Sequence, residues 1–244
     1  MRPLDKLEIG QKVRLDDGEE VEIPLTFAKH RNAIPLLLKN FGNYCSYCEC
    51  YTSNGMNFDV EHIEPQVNNP NLILNWDNFL LACRSCNGSG GKWRKDIPSP
   101  NTHLPDKNNT FLSLKYEEAG VVRVNPELNA NSQRHAQELI DWLKLDKSPT
   151  SSYKDRDGRC EMRRRIWDMA ENYLRLFESS ELGVPTIIDL AKGQGCWSIW
   201  FTVFKDHEDV RRALVEQFPG TARNCFDEHF NPVPRHPENT DDPI

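Results

Sequence analysis

Residues 58–66 read FDVEHIEPQ, placing Asp59, Glu61 and Glu64 around the single imidazole of His62. A histidine among carboxylates is ordinarily a solvated surface group. Its flanks change that reading. Cys45-Ser46-Tyr47-Cys48 precedes it and Cys83-Arg84-Ser85-Cys86 follows it, both with C-x-x-C spacing. Two thiolates on one tight turn can reach the same tetrahedral ion, and two such turns complete a closed four-cysteine zinc site. Cys45, Cys48, Cys83 and Cys86 are therefore read as ligands of a structural Zn²⁺ ion that clamps a long insert. The competing reading is a coincidence of cysteines in a reduced core. A closed site leaves no coordination position for water or substrate, so any chemistry falls to other residues of the insert. Cys50, Cys160, Cys196 and Cys225 have no paired spacing and read as free thiols.

Within the insert, Phe58, Val60, His62 and Ile63 suggest a short strand ending near Pro65, which stops ladder pairing. The stretch DNFLLACRSC reads as a second strand leading into the closing knuckle and a helix. Strict alternation along a strand puts Glu61 and His62 on opposite faces. The two act together only if the strand is ending or irregular there.

The order Glu61-His62, then Asn78, then Asn87 directly after the last paired cysteine resembles the HNH nucleases. The resemblance implies a ββα-metal fold that sets one divalent ion against a phosphodiester. It implies His62 as the general base, Glu61 and the Asn87 amide oxygen as ligands of Mg²⁺ or Mn²⁺, and Asn78 as the residue that orients the histidine loop. The residue types suit that chemistry. Imidazole titrates near neutrality, oxygen donors suit hard cations, and the cation stabilises charge on the phosphoryl oxygens. Asp59 or Glu64 is expected to orient the imidazole, and the sequence does not choose between them. This chain departs from the family in using Glu where Asp or His is common. It also places Gly88, Gly90 and Gly91 where a helix should begin, and these weaken a helix or form a backbone nest for phosphate. A looser resemblance extends over "FGNYCSYCE", "HAQELIDWLKLD" and "WFTVFKDHEDVRRALVEQFPGTARNCFD". It is to the nuclease subunits of Septu-type antiphage systems (PtuB-like), and it implies an ATPase partner and a role in defence.

The remaining chain bounds this reading. It has 244 residues, 38% hydrophobic and 27% charged, with a net charge of −7. Nothing global announces a nucleic-acid partner, so contact with phosphate must be local. Arg84, Lys92 and Arg94 are the expected phosphate contacts, in a window free of acids. A second basic run, RDGRCEMRRR at 156–165, reads either as another phosphate surface or as a solvated helix face. The start shows no signal peptide and no apolar run spans a bilayer, so a cytoplasmic protein without membrane contact is expected. The expected fold class is α+β: a ββα-metal HNH core with a four-cysteine zinc clamp in a mainly α-helical chain. The segments are 1–42, an N-terminal arm and a helix opening at Thr26; 43–95, the nuclease core; 96–131, a loop and hairpin; 132–225, helices; and 226–244, a disordered acidic tail. Trp197, Trp200, Phe201 and Phe204 fall at helical spacing and read as a core stripe or a partner anchor. The function expected is hydrolysis of phosphodiesters in nucleic acid, DNA more than RNA. The alternatives are a stand-alone HNH restriction or mobile-element enzyme, or a non-catalytic zinc-binding adaptor.

Overall fold

The computed structural model describes residues 1–53, 58–89, 91–147 and 157–244. Gly90 and Arg156, both named above, lie outside them. The chain opens with a hairpin, β1 (Lys12–Arg14) and β2 (Glu20–Glu22), turned at Gly18. A 3₁₀ turn over His30–Ala33 leads into α1 (Ile34–Phe41). The helix begins later than Thr26 because Pro35 suits only the first turn, where its missing N–H is not needed. Thr26 instead bridges to Asn75.

The strands β3 (Phe58–His62) and β4 (Phe79–Cys83) pair antiparallel, with Phe58 opposite Cys83 and His62 opposite Phe79. A single helical turn, α2 (Arg84–Asn87), follows and packs on both strands. It stops at Gly88 and the chain folds back. A Cβ at Gly91 would lie 2.0 Å from the Cys86 carbonyl oxygen, so only glycine fits this approach. The amides of Gly88 and Gly91 bond to Arg84 O and Gly88 O, closing turns. Those two amides are therefore committed to turns, in keeping with glycines that weaken the helix.

Beyond the knuckles, α3 (Thr110–Ser113) is a single helical turn. It leads to the hairpin β5 (Leu114–Tyr116) and β6 (Val122–Val124). In α4 (Ala130–Leu143), Asn129 caps the helix by accepting from Ser132 N at 2.9 Å. Ala136, Leu139, Ile140 and Leu143 form its buried stripe. Among the described residues four more helices follow: α5 (Arg159–Glu178), α6 (Val184–Gln194), α7 (Trp197–Val203) and α8 (Glu208–Gln217).

Two apolar cores result. One gathers Leu37, Phe41, Val60, Phe79, Leu81, Leu139 and Leu143 behind the β3–β4 pair. The other is built from Ile166, Ile187, Trp197, Trp200, Phe204, Leu214 and Phe218. Trp197, Trp200, Phe201 and Phe204 are all at most 2% exposed, so this stripe is core and not a partner anchor. Glu49, next to Cys48, joins the two halves. Its carboxylate accepts from Ser198 N at 2.9 Å and Ser198 Oγ at 2.6 Å. Its carbonyl accepts from Cys196 N at 2.9 Å.

The segment 226–244 is folded against the body and not a disordered tail. Its acidic, Pro-rich composition hid three anchors: Phe226, Phe230 and Ile244 are buried. Arg235 pairs with Asp5 at 2.7 Å, and Asp242 bonds His103 and His135. No helix among the described residues is long and apolar enough to cross a membrane.

Candidate active site

The four paired cysteines converge. Their sulfur atoms all lie within 4.8 Å of one another, and all four residues are buried. Cys48 Sγ and Cys83 Sγ are 3.6 Å apart. Tetrahedral thiolate ligands about 2.3 Å from zinc stand about 3.8 Å from one another, so the cluster fits such an ion. Cys83 N donates to Cys45 Sγ at 3.4 Å, and Arg159 Nη1 donates to Cys86 Sγ at 3.4 Å. Both contacts suit sulfur that carries negative charge. Cys50 is not one of the four, although its thiol lies beside those of Cys45, Cys48 and Cys83.

On the open side of β3 lies a cavity of about 1150 Å³. His62 and Asn87 border it, with Arg84 and Arg94 from the closing knuckle and its loop. His62 is 7% exposed, and its ring is tightly held. Nε2 lies 2.9 Å from Ile73 O, and Nδ1 lies 3.0 Å from Gln66 Nε2. A carbonyl only accepts, so Nε2 carries the proton and the lone pair sits on Nδ1. Burial holds this imidazole below its ordinary pKa of 6.5, against the opposing pull of the Ile73 hydrogen bond. It is therefore neutral at pH 7. Among the described residues no carboxylate bonds it. Asp59 lines the cavity without bonding the ring, and Glu64 meets Asn78 through its backbone N–H and carbonyl.

Asn78 is 5% exposed and clamps the histidine loop from both ends. Its amide donates to Glu64 O at 3.0 Å and Leu72 O at 3.2 Å, and its oxygen accepts from Glu64 N at 2.7 Å. Leu72 adjoins Ile73, whose carbonyl holds His62.

Strand β3 is regular through His62, so the alternation rule holds and Glu61 faces away from the cavity. Glu61 is fully buried, with Oε1 2.7 Å from Lys92 Nζ and 3.3 Å from Tyr47 OH. Its other oxygen, Oε2, has no hydrogen-bond partner. Burial pushes the carboxyl up to about 7 even though Lys92 and Tyr47 pull it down.

Lys92 departs from its expected role. It is 2% exposed, and its ammonium donates to the carbonyls of His62 and Ile63 while pairing with Glu61. It also lies 4.8 Å over the Trp142 ring. It organises the strand end, and although it borders the cavity its ammonium is taken up by Glu61 and the two carbonyls. Arg84 and Arg94 are exposed, as is Trp93, over which Arg94 lies. The second basic run does not form one surface. Arg159 and Arg163 are buried, bonding the carbonyls of Leu143 and Leu145, and Arg164 pairs with Glu161 and Asp168.

The sequence reading gave no role to His30, Arg31 or Gln66, which line the cavity with polar groups. His30 meets the His62 ring edge-on at 5.3 Å between centroids. It comes from before the first knuckle, outside the cysteine frame, and its only sequence signal is the His-Arg pair preceding an apolar helix.

Comparison with known proteins agrees with this geometry. Residues 45–92 match the family model for the HNH endonuclease. This segment is an HNH domain. The chain is also 35% identical over 102 residues to the Septu protein PtuB of Bacillus thuringiensis, an alignment covering 37% of this chain. The chain spans about 40% of the length of that relative. The HNH match begins at the first zinc-type cysteine and ends at Lys92, so it takes in both knuckles, Glu61, His62, Asn78 and Asn87.

Proposed function

We propose that the chain is a metal-dependent endonuclease of the cytoplasm that hydrolyses phosphodiester bonds in nucleic acid, DNA in preference to RNA. The observation that carries this reading is the state of His62. It is a neutral imidazole, fixed through Nε2–H, with its one basic nitrogen beside a cavity bordered by Arg31, Arg84 and Arg94. A general base must be unprotonated at working pH and within hydrogen-bond reach of its water. The Gln66 amide holds that nitrogen now, and a water taking its place would be activated for attack. Asn78 is a positioning residue, acting through the loop whose carbonyl orients the ring. Arg84 and Arg94 bind the phosphates on either side of the cut.

A divalent ion, Mg²⁺ or Mn²⁺, is proposed beside the Asn87 amide on the cavity wall. Glu61, with one buried carboxylate oxygen unpartnered, does not fit as its second holder while it lies on the opposite face of β3; it would reach the ion only if the strand end rearranged. The Lys92 ammonium competes for the same carboxylate. Bound there, the ion supplies Lewis-acid stabilisation of charge on the phosphate. Zn²⁺ is proposed for the four-cysteine cluster, as a structural ion.

The likeness to the Septu protein PtuB supports a place in antiphage defence, and we propose an ATPase as the working partner. A non-catalytic zinc adaptor is the second reading, and the capture of Glu61 by Lys92 favours it. The deciding experiment is cleavage of plasmid and of tRNA by purified protein with Mg²⁺, Mn²⁺ or EDTA, with and without the ATPase of a neighbouring gene. His62→Ala should lower the rate by about 10²–10⁴, the usual contribution of a general base, with zinc content unchanged. Cleavage at the wild-type rate by His62→Ala refutes the assignment.

A further inference from the structure

Away from the HNH cavity, three side chains from distant parts of the sequence meet at one point. They are His103 from the loop before α3, His135 from α4 and Asp242 from the C-terminal segment. Their ligand atoms all lie within 4.8 Å of one another. His103 Nε2 is 3.0 Å from Asp242 Oδ2, and His135 Nδ1 is 2.5 Å from the same oxygen. Both rings are buried, at 0% and 4% exposure.

Ser113 Oγ lies 2.8 Å from His103 Nδ1 and can donate to it, which leaves Nε2 to face the Asp242 carboxylate, as an N–H donor in the metal-free protein or as a ligand once an ion displaces that proton. The support is built in the manner of an outer ligand shell. Ser99 Oγ and Thr102 Oγ1 donate to Glu138 Oε2 at 2.6 and 2.8 Å, fastening the His103 loop to the helix that carries His135.

We propose that His103, His135 and Asp242 bind a second zinc-class divalent ion, distinct from that of the four cysteines, which staples residues 226–244 to the body. Two imidazoles and one carboxylate are the donor set of zinc and its late first-row neighbours, not of Mg²⁺ or Ca²⁺. The fourth position goes to water beside Ser132 Oγ, which lies 2.6 Å from Asp242. Arg134 contacts the outer nitrogen of His135 at 3.1 Å. With the ion on Nδ1 that nitrogen carries the proton, and the exposed Arg134 turns into solvent.

The test uses the full chain in an Asn87→Ala background, so that a catalytic ion is not counted. Elemental analysis should find about two zinc ions per chain, and about one after adding Asp242→Asn or His103→Ala. Cobalt titration of the Asn87→Ala protein provides a reading that needs no variant of the staple. Thiolate charge-transfer absorption reports the cysteine site, and a second equivalent should bind with weaker visible bands alone. Those weak bands should vanish in Asp242→Asn while the thiolate bands stay. A titration complete at one equivalent, with zinc content unchanged in both variants, overturns the proposal and leaves a protonated hydrogen-bonded latch.

Discussion

Replacing Lys92 with Met keeps the volume and removes one charge. The side chains of Lys92 and Glu61 are 2% and 0% exposed, so solvent cannot compensate the carboxylate left behind. Breaking a buried ion pair on one side costs about 3–5 kcal/mol. The carbonyls of His62 and Ile63 also lose their donor. A chain of this size loses about 2–4 °C of melting temperature per kcal/mol, so Lys92→Met should melt about 6–20 °C lower. Adding Glu61→Gln removes the stranded charge and leaves only the two carbonyls unsatisfied. The double variant should therefore recover about 2 kcal/mol, or about 4–8 °C. The assay is thermal unfolding of wild type, both single variants and the double variant at pH 9 without added divalent ion, because the Glu61 carboxyl is at about 7 even beside Lys92 and would escape the penalty by protonating at pH 7. Losses that add within about 0.5 kcal/mol would refute the reasoning, because Glu61 and Lys92 would then not be coupled.

Three other outcomes are expected. Cleavage should rise with pH along an acid limb whose midpoint is below 6.5 and then level off, since burial lowers the His62 pKa and the base works when unprotonated. A midpoint above 6.5 in the rate profile contradicts that environment. Arg84→Ala with Arg94→Ala should reduce the slope of log K against log salt by about 2, measured by titration of labelled duplex at several salt concentrations. An unchanged slope moves the phosphate surface elsewhere. Cys83→Ser should lose its tightly bound zinc and the cooperative melting of the HNH domain, because a structural zinc supplies folding energy. Full zinc content in that variant removes the four-cysteine assignment.

The knuckles were legible because two C-x-x-C turns around an insert allow little else, and the strand pair was legible from Phe58, Val60 and the apolar run before Cys83. The alternation of Glu61 and His62 was legible too, and it held. The partner of Glu61 was not. Lys92 read as one more cation in a basic window, and nothing in a linear pattern marks a lysine that folds back under a strand. The tail was misread for a related reason. Net acidity and proline content average over a segment, whereas its placement depends on Phe226, Phe230, Asp242 and Ile244 meeting particular partners. His30 was hidden because contact across the fold leaves no trace in spacing.

Glu49 gives the knuckle a second duty. The turn that presents Cys45 and Cys48 also presents the carboxylate that seats Ser198 at the start of α7, and Gly195 lies so close that a Cβ there would stand 2.5 Å from Glu49 O. The HNH segment is therefore not a cartridge that can be lifted out and transplanted. Excised at 45–92, it would carry an acid shaped for a socket left behind, and the helical half would lose the rivet that sets its first aromatic turn. Any lineage or design that moves this nuclease domain to a new host must bring the α7 socket with it, or rewrite residue 49.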